Sequence, residues 1–268
     1  MSNSNSSWML PDELWEYIKP LIPKHPPSPK GGRPRANDRH VADAIFFLLK
    51  TGSQWKCLPH FFGVSSSVVH QRFKEWTGAR VFSDAWKNTL KTLDKANGVK
   101  WRWQAADGAM TKAPLGGEGT GHNPTDRAKL GTKRCLLTDQ NGIPLSIIAT
   151  GANRHDMKML RDTLDEIIIK KPSGKTVRQG LCLDKGFDYP ELHSLIKKKH
   201  YNDHIKTRSD EIKMKKRNPR YKARRWVVER THSWLNRFRR ILIRWEKKLS
   251  HYLSFLSLAC ALIVVRAI

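Results

Sequence analysis

Val99-Lys-Trp-Arg-Trp-Gln-Ala-Ala-Asp107-Gly108 is the point at which this 268-residue chain changes texture. Before it, apolar residues recur at three- and four-residue spacings. Within it, aromatic and small apolar residues run up to an acid and a glycine, as a strand does before a turn. A Gly-rich polar loop follows over 114–126. Two further strands are expected over 132–137 and 145–150, joined by the turn Asp139-Gln-Asn-Gly142. Next come a helix over 157–168, a strand over 179–183 ending at Asp184, a helix over 190–199 and a strand over 201–206. A very basic stretch leads into a long helix expected over 223–248, and an apolar helix closes the chain over 252–265.

Toward the N-terminus, Trp8, Leu10, Leu14, Ile18 and Leu21 carry helical spacing that Pro20 and Pro23 end. The stretch 23–36 holds five prolines, and its cations Lys24, Lys30, Arg33 and Arg35 have no acid among them. It reads either as a solvated linker or as a basic arm whose Gly-Arg-Pro-Arg fits a DNA minor groove. From Asn37, an N-cap, a helix face runs through Val41, Ala44, Ile45, Leu48 and Leu49 to Thr51-Gly52. Ser65 to Ser67 open a second helix through Val68, Val69, Phe73 and Trp76, and a third covers 81–93. That order suits a helix-turn-helix and equally a plain bundle; in the first case His70, Gln71 and Lys74 face a groove. The expected fold class is therefore α/β: a ribonuclease-H-like core over 99–268, preceded by a small all-α, helix-turn-helix-like domain over 1–98.

Charge narrows the partner. Fifty Lys and Arg against 24 Asp and Glu leave a net +26, which self-repels unless a polyanion such as nucleic acid binds it. Residues 206–248 carry 17 of the cations and only 4 acids, half of the net charge, which reads as a phosphate track. The four cysteines are far apart without a CxxC pair, as in a reduced cytosolic protein. Ser173-Gly174-Lys175-Thr176 ends like a P-loop, but Ile169 stands where its first glycine belongs, so nucleotide binding is rejected. The apolar run over 252–265 is too short to span a bilayer.

The chemistry-bearing residues are carboxylates. Asp107 and Asp184 end strands of the α/β region, where open sheets bind ligands. Glu229 lies on the long helix with Arg225, His232 and Asn236 on its face, opposite an apolar stripe of Val227, Thr231, Trp234, Phe238, Ile241 and Trp245. A lone glutamate there is either a salt-bridge partner or, with the two aspartates, part of a hard all-oxygen site for Mg²⁺ or Mn²⁺. Two such ions suit phosphodiester hydrolysis or strand transfer.

Several long motifs then agree with one family in the right order. Asp107-Gly108, 123–134, Gly151-Ala-Asn-Arg-His-Asp156, Leu183-Asp-Lys-Gly-Phe-Asp188 and 225–240, together with Gly32-Arg-Pro-Arg and Thr51-Gly-Ser-Gln-Trp55, resemble the DDE transposases of the IS5 insertion-sequence family. The resemblance implies Asp107, Asp184 and Glu229 as the metal-holding catalytic triad. It also implies double-stranded DNA as partner, both the element's terminal inverted repeats and the target, with a homodimer on two paired ends and action at the bacterial nucleoid in the cytoplasm. Lys133, Arg134, Arg225, Arg230, Arg237, Arg239 and Arg240, with Arg33, Arg35, His70, Gln71 and Lys74, are the expected DNA contacts. Related families carry a lysine seven residues after the glutamate, where this chain has Asn236. A non-catalytic repressor derived from a transposase is the alternative.

Overall fold

Pro11 and Pro20 hold the first helix to seven residues, α1 (Asp12–Ile18), and Lys19–Leu21 tightens into a 3-10 turn, so the expected span over 8–22 is cut short. The computed structural model describes residues 6–26, 29, 31–32, 34–173, 177–205, 208–218 and 224–268. Asn37 accepts the Arg39 N–H at 2.8 Å and opens α2 (Asp38–Thr51), which ends on left-handed Gly52. Ser65 caps α3 (Ser66–Gly78) through the Val68 N–H. Two 3-10 turns fill residues 52–65 between them, a longer connection than a tight helix-turn-helix turn. Next comes α4 (Val81–Ala96).

The sheet comprises β1 (Trp103–Lys112), β2 (Gly121–His122), β3 (Leu130–Asp139), β4 (Pro144–Gly151), β5 (Gln179–Leu183) and β6 (Tyr201–Ile205). Its main order is β4-β3-β1-β5-β6, with β2 beside the start of β3. β3 runs antiparallel to β1 and β4, while β1, β5 and β6 are parallel. One reversed strand among parallel neighbours, with this connectivity, is the ribonuclease-H-like sheet that the element order predicts. α5 (Asp156–Asp165) lies against β3 and β4; α6 (Pro190–Lys198) precedes β6. α7 (Arg208–Arg217) is a helix within the basic stretch that the periodicity does not reveal, because nearly every residue in it is polar.

The long helix expected over 223–248 is not continuous. α8 (Trp226–Asn236) ends at Arg237, Phe238 is extended, and α9 (Arg239–Leu242) is a single turn before an extended stretch. The cause lies in polar burial. Continuing the helix would carry Arg240, Arg244 and Glu246 away from their partners, whereas the bent chain satisfies them inside. Arg240 donates to Glu246 at 2.6 Å and to the Ser53 carbonyl at 2.7 Å. Arg244 donates to Thr132 Oγ1 and to the carbonyls of Glu246 and Gly119, and to that of Glu118. These last bonds seat the Gly-rich loop, where a Cβ on Gly117 would stand 2.2 Å from the Lys247 carbonyl oxygen. Trp245, expected on the buried stripe, is exposed in consequence.

α10 (Leu249–Val265) is apolar almost all round and buried along most of its length, packed between α4 and β4. It joins the helical N-terminal region and the sheet in one hydrophobic core. Trp86 adds a hydrogen bond to the Pro144 carbonyl and Thr77 one to Ser254. Among the described residues no helix is long and apolar enough to cross a membrane.

Candidate active site

Asp107 does not end its strand, as expected, but sits within β1, which continues along β3 to Lys112. What ends there is the pairing with β5. The parallel register stops at Ala105↔Cys182, so Asp107 and Asp184 each stand two residues beyond the last pair, where the strands part. Asp184 then caps a 3-10 turn through the Lys185 N–H at 2.7 Å. Glu229 comes from the first turn of α8, which packs on β1 and β3. The structure thus brings the three carboxylates to one edge.

Their electrostatics are those of crowded acids. Burial holds the Asp107 carboxyl up, to about 6, and the Glu229, Asp184 and Asp156 carboxylates push the same way, against the Gly108 backbone N–H that favours the charged form. Arg225 donates to Asp184 at 2.7 Å and lies 3.8 Å from Glu229. Two carboxylates sharing one cation, beside a third that is half-buried, are a donor set of hard oxygens suited to a divalent ion. Among the described residues no three acidic, His or Cys side chains close into a ligand cage; Asp184 and Glu229 both lie against Arg225.

Two neighbours of the carboxylates take their roles only from the fold. His232, expected on the polar face beside Glu229, is buried. Burial and then the nearby Arg134 cation press its pKa down to about 3, so the imidazole is neutral. It therefore donates Nε2–H to the Asp107 carbonyl at 3.3 Å, tying α8 to β1. Its position three after Glu229 was the available clue. Asp156, the last residue of the Gly151–Asp156 motif, opens α5 beside Gly108.

The expected DNA contacts divide. Gln71, Lys74, Arg237 and Arg239 are exposed. His70 is half-buried, its ring 4.8 Å from that of Trp55. Arg35 is exposed but paired with Glu75 of α3 at 2.6 Å, and Arg33 lies outside the described residues. Arg230 stacks between Trp226 and Trp234 and donates to the Asn141 carbonyl. Three expectations are corrected, because the residues lie inside the protein. Lys133 pairs with Asp156 at 3.1 Å, Arg134 is 1% exposed and bonded to Asn236, and Arg240 is locked to Glu246. Each cation has a nearby polar partner from another element, which draws it from the surface.

A ribonuclease-H-like sheet with acids at its parting strands and a glutamate on the covering helix defines a class of metal-dependent phosphodiester enzymes. Similarity to known proteins narrows the class. Residues 10–86 match the family model "Putative transposase of IS4/5 family", and residues 83–264 match "Transposase DDE domain". The chain belongs to the IS4/5 family of DDE transposases. It is 38% identical over 151 residues to the "Putative transposase for insertion sequence element IS402" of Burkholderia cepacia, covering 54% of this chain and 67% of that protein. It is 32% identical over 121 residues to a 16.2 kDa protein of the same element, covering 43% of this chain and 81% of that one. Among solved structures it overlaps the catalytic domain of the Mos1 mariner transposase over 69% of this chain and 92% of that one, at 12% identity and a TM-score of 0.30. A Mos1 paired-end complex with Mn overlaps 94% of this chain and 86% of that one, at 14% identity and a TM-score of 0.30.

Proposed function

We propose that this enzyme binds the terminal inverted repeats of its insertion sequence and cuts and joins DNA strands there with Mg²⁺ or Mn²⁺ held by Asp107, Asp184 and Glu229. The observation that carries this reading is the meeting of the three carboxylates where β1 and β5 part, with Asp184 and Glu229 already sharing one cation. When bound, divalent ions in such a site activate the attacking oxygen and stabilise the leaving one; two ions is the proposed number. The chain's own residues set the stage: His232 fixes the Asp107 backbone, and Arg225 holds Asp184 toward Glu229. Two ends must be paired, so the working form is a homodimer, acting at the nucleoid in the cytoplasm.

DNA engagement divides between two surfaces. The helical region over 1–98 reads the element end through α3, and the exposed arginines after α8 hold phosphates. A cleft of about 800 Å³ opens between α3 and the 245–251 segment, lined by His70, Lys74, Trp245, Lys247, Lys248 and His251. In full-length protein, Gln71→Ala with Lys74→Ala is expected to erase the preference for inverted-repeat over random DNA in a competition gel shift. A retained preference means that α3 does not read the ends. Arg237→Ala with Arg239→Ala should weaken binding to any duplex and lower the log–log salt slope by about 0.9 per lost contact. An unchanged slope places the phosphate track elsewhere.

The overall reading is tested by incubating the chain with supercoiled DNA carrying the element ends, with Mg²⁺ or with a chelator. Nicks at the ends only in the presence of metal support it. Specific binding without any cleavage favours the repressor alternative.

A further inference from the structure

The bend at Phe238 that buries Arg240 and Glu246 also leaves Trp245, Lys247 and Lys248 at the surface. They line the cleft opposite His70 and Lys74 of α3. Its charge is one-sided. Arg240 and Glu246, which also line it, balance each other as an ion pair. Lys74, Lys247 and Lys248 are exposed, and among the described residues none is paired with an acid. Three unpaired cations around one cleft repel until an anion lies among them.

Two imidazoles share the same cleft. His70 and His251, the latter in the first turn of α10, stand edge to face with ring centroids 6.3 Å apart. Trp55 packs on the first at 4.8 Å and Phe73 on the second at 5.4 Å, so each ring has an aromatic support. Both are half-buried, and among the described residues neither has a hydrogen-bond partner. Their ring nitrogens are open to a ligand. Loss of hydration holds both below the ordinary 6.5. Lys74 and Arg240 act in the same direction on His70; His70, Lys248 and Lys74 do so on His251, against Glu118 alone. Glu118 itself accepts the Leu249 N–H at 3.1 Å. In the free chain both imidazoles are therefore neutral at pH 7. A phosphate set among these lysines reverses the balance, because its negative charge favours imidazolium.

We propose that this cleft seats the phosphate backbone of a DNA duplex between α3 and the 245–251 segment, and that His70 and His251 take up protons as it binds. The proposal rests on the reading of the chain as a DNA-binding enzyme and adds a proton-linked contact at a place that holds none of the three carboxylates. Lysines spread over two elements suit a run of phosphates better than a single ion. The complex holds more protons than the separate molecules, so affinity falls as pH rises through the range around the ordinary imidazole value.

Binding of a short random-sequence duplex to the full-length chain, followed by fluorescence anisotropy at pH 5.5 and pH 8, tests this without metal or cleavage. Affinity is expected to be about tenfold or more higher at pH 5.5. His70→Gln with His251→Gln should remove most of that ratio, and either change alone part of it. Calorimetry at pH 6.5 in two buffers of different ionisation enthalpy should show protons taken up on binding, about one to two fewer in the double variant. Lys247→Ala with Lys248→Ala should weaken binding at both pH values and lower the log–log salt slope by about 0.9 per lost contact. Absence of proton uptake by the unsubstituted chain overturns the proposal without any variant. So does a pH ratio that the double histidine variant leaves unchanged, or a loss of affinity equal at both pH values, which makes the rings packing groups only. An unchanged salt slope in the lysine variant overturns the cleft as a phosphate site. No binding of duplex by the unsubstituted chain at either pH would instead overturn the reading of the protein as DNA-binding.

Discussion

Asp107→Asn is expected to abolish metal-dependent strand cleavage and, in the same molecule, to raise the melting temperature of the metal-free chain. Both effects come from one cause. The half-buried carboxylate loses hydration and faces the charges of Glu229, Asp184 and Asp156, which together push its pKa up to about 6 from its ordinary 3.8. Between those two pH values the folded chain binds more protons than the unfolded one, so this group's contribution to stability falls as pH rises through the window and stays low above it. The neutral amide removes that cost, on the order of 3 kcal/mol at neutral pH. It also removes an oxygen and a charge from the proposed metal site, on which cleavage is expected to depend. Asp184→Asn and Glu229→Gln should lose cleavage as completely. Binding to element ends should survive in all three, because affinity comes from Lys and Arg contacts to phosphates. Melting curves at pH 4 and pH 7.5 and a nicking assay check the set. Near-normal cleavage by one variant removes that residue from the site. An unaltered melting temperature for Asp107→Asn at pH 7.5 would mean that its charge is already compensated in the fold.

Arg240→Ala should destabilise the protein by about 3–5 kcal/mol, enough to deplete soluble protein, because one member of a buried ion pair is removed and the other is stranded. Both side chains of the Arg240–Glu246 pair are at most 5% exposed, and burial already pushes the Glu246 carboxyl up against the stabilising arginine. The same guanidinium lies over the Trp55 and Phe255 rings and holds the Ser53 carbonyl, so the α2–α3 connection loses its anchor too. Arg239→Ala, one residue away and exposed, should change stability by less than about 0.5 kcal/mol. Replacing Arg240 by Met and Glu246 by Leu together should recover most of the loss, since no charge is then left unpaired. Urea unfolding of the three variants separates the cases. Equal stabilities for Arg239→Ala and Arg240→Ala would return Arg240 to the surface.

The contrast between these two arginines shows how far the primary structure can be read. Spacing of Val41, Ala44, Ile45, Leu48 and Leu49 places α2, and Leu181-Cys-Leu-Asp184 places β5 and the second aspartate, because both depend on neighbours a few residues away. The order of strands and helices gives the ribonuclease-H-like sheet, and the family motifs single out the three carboxylates proposed as the triad. Arg240 reads as another cation in a basic run. Its burial depends on Glu246 and on Ser53, which is 187 residues distant. Lys133 and Arg134 are likewise taken inward by Asp156 and Asn236, and Asp156 finds its place only through a gap left at Gly108. The break at Phe238 carries no glycine or proline to announce it. Periodicity records which residues avoid water along one element. Whether a charged side chain joins them is settled by a partner from elsewhere in the chain, since only that partner repays the loss of hydration.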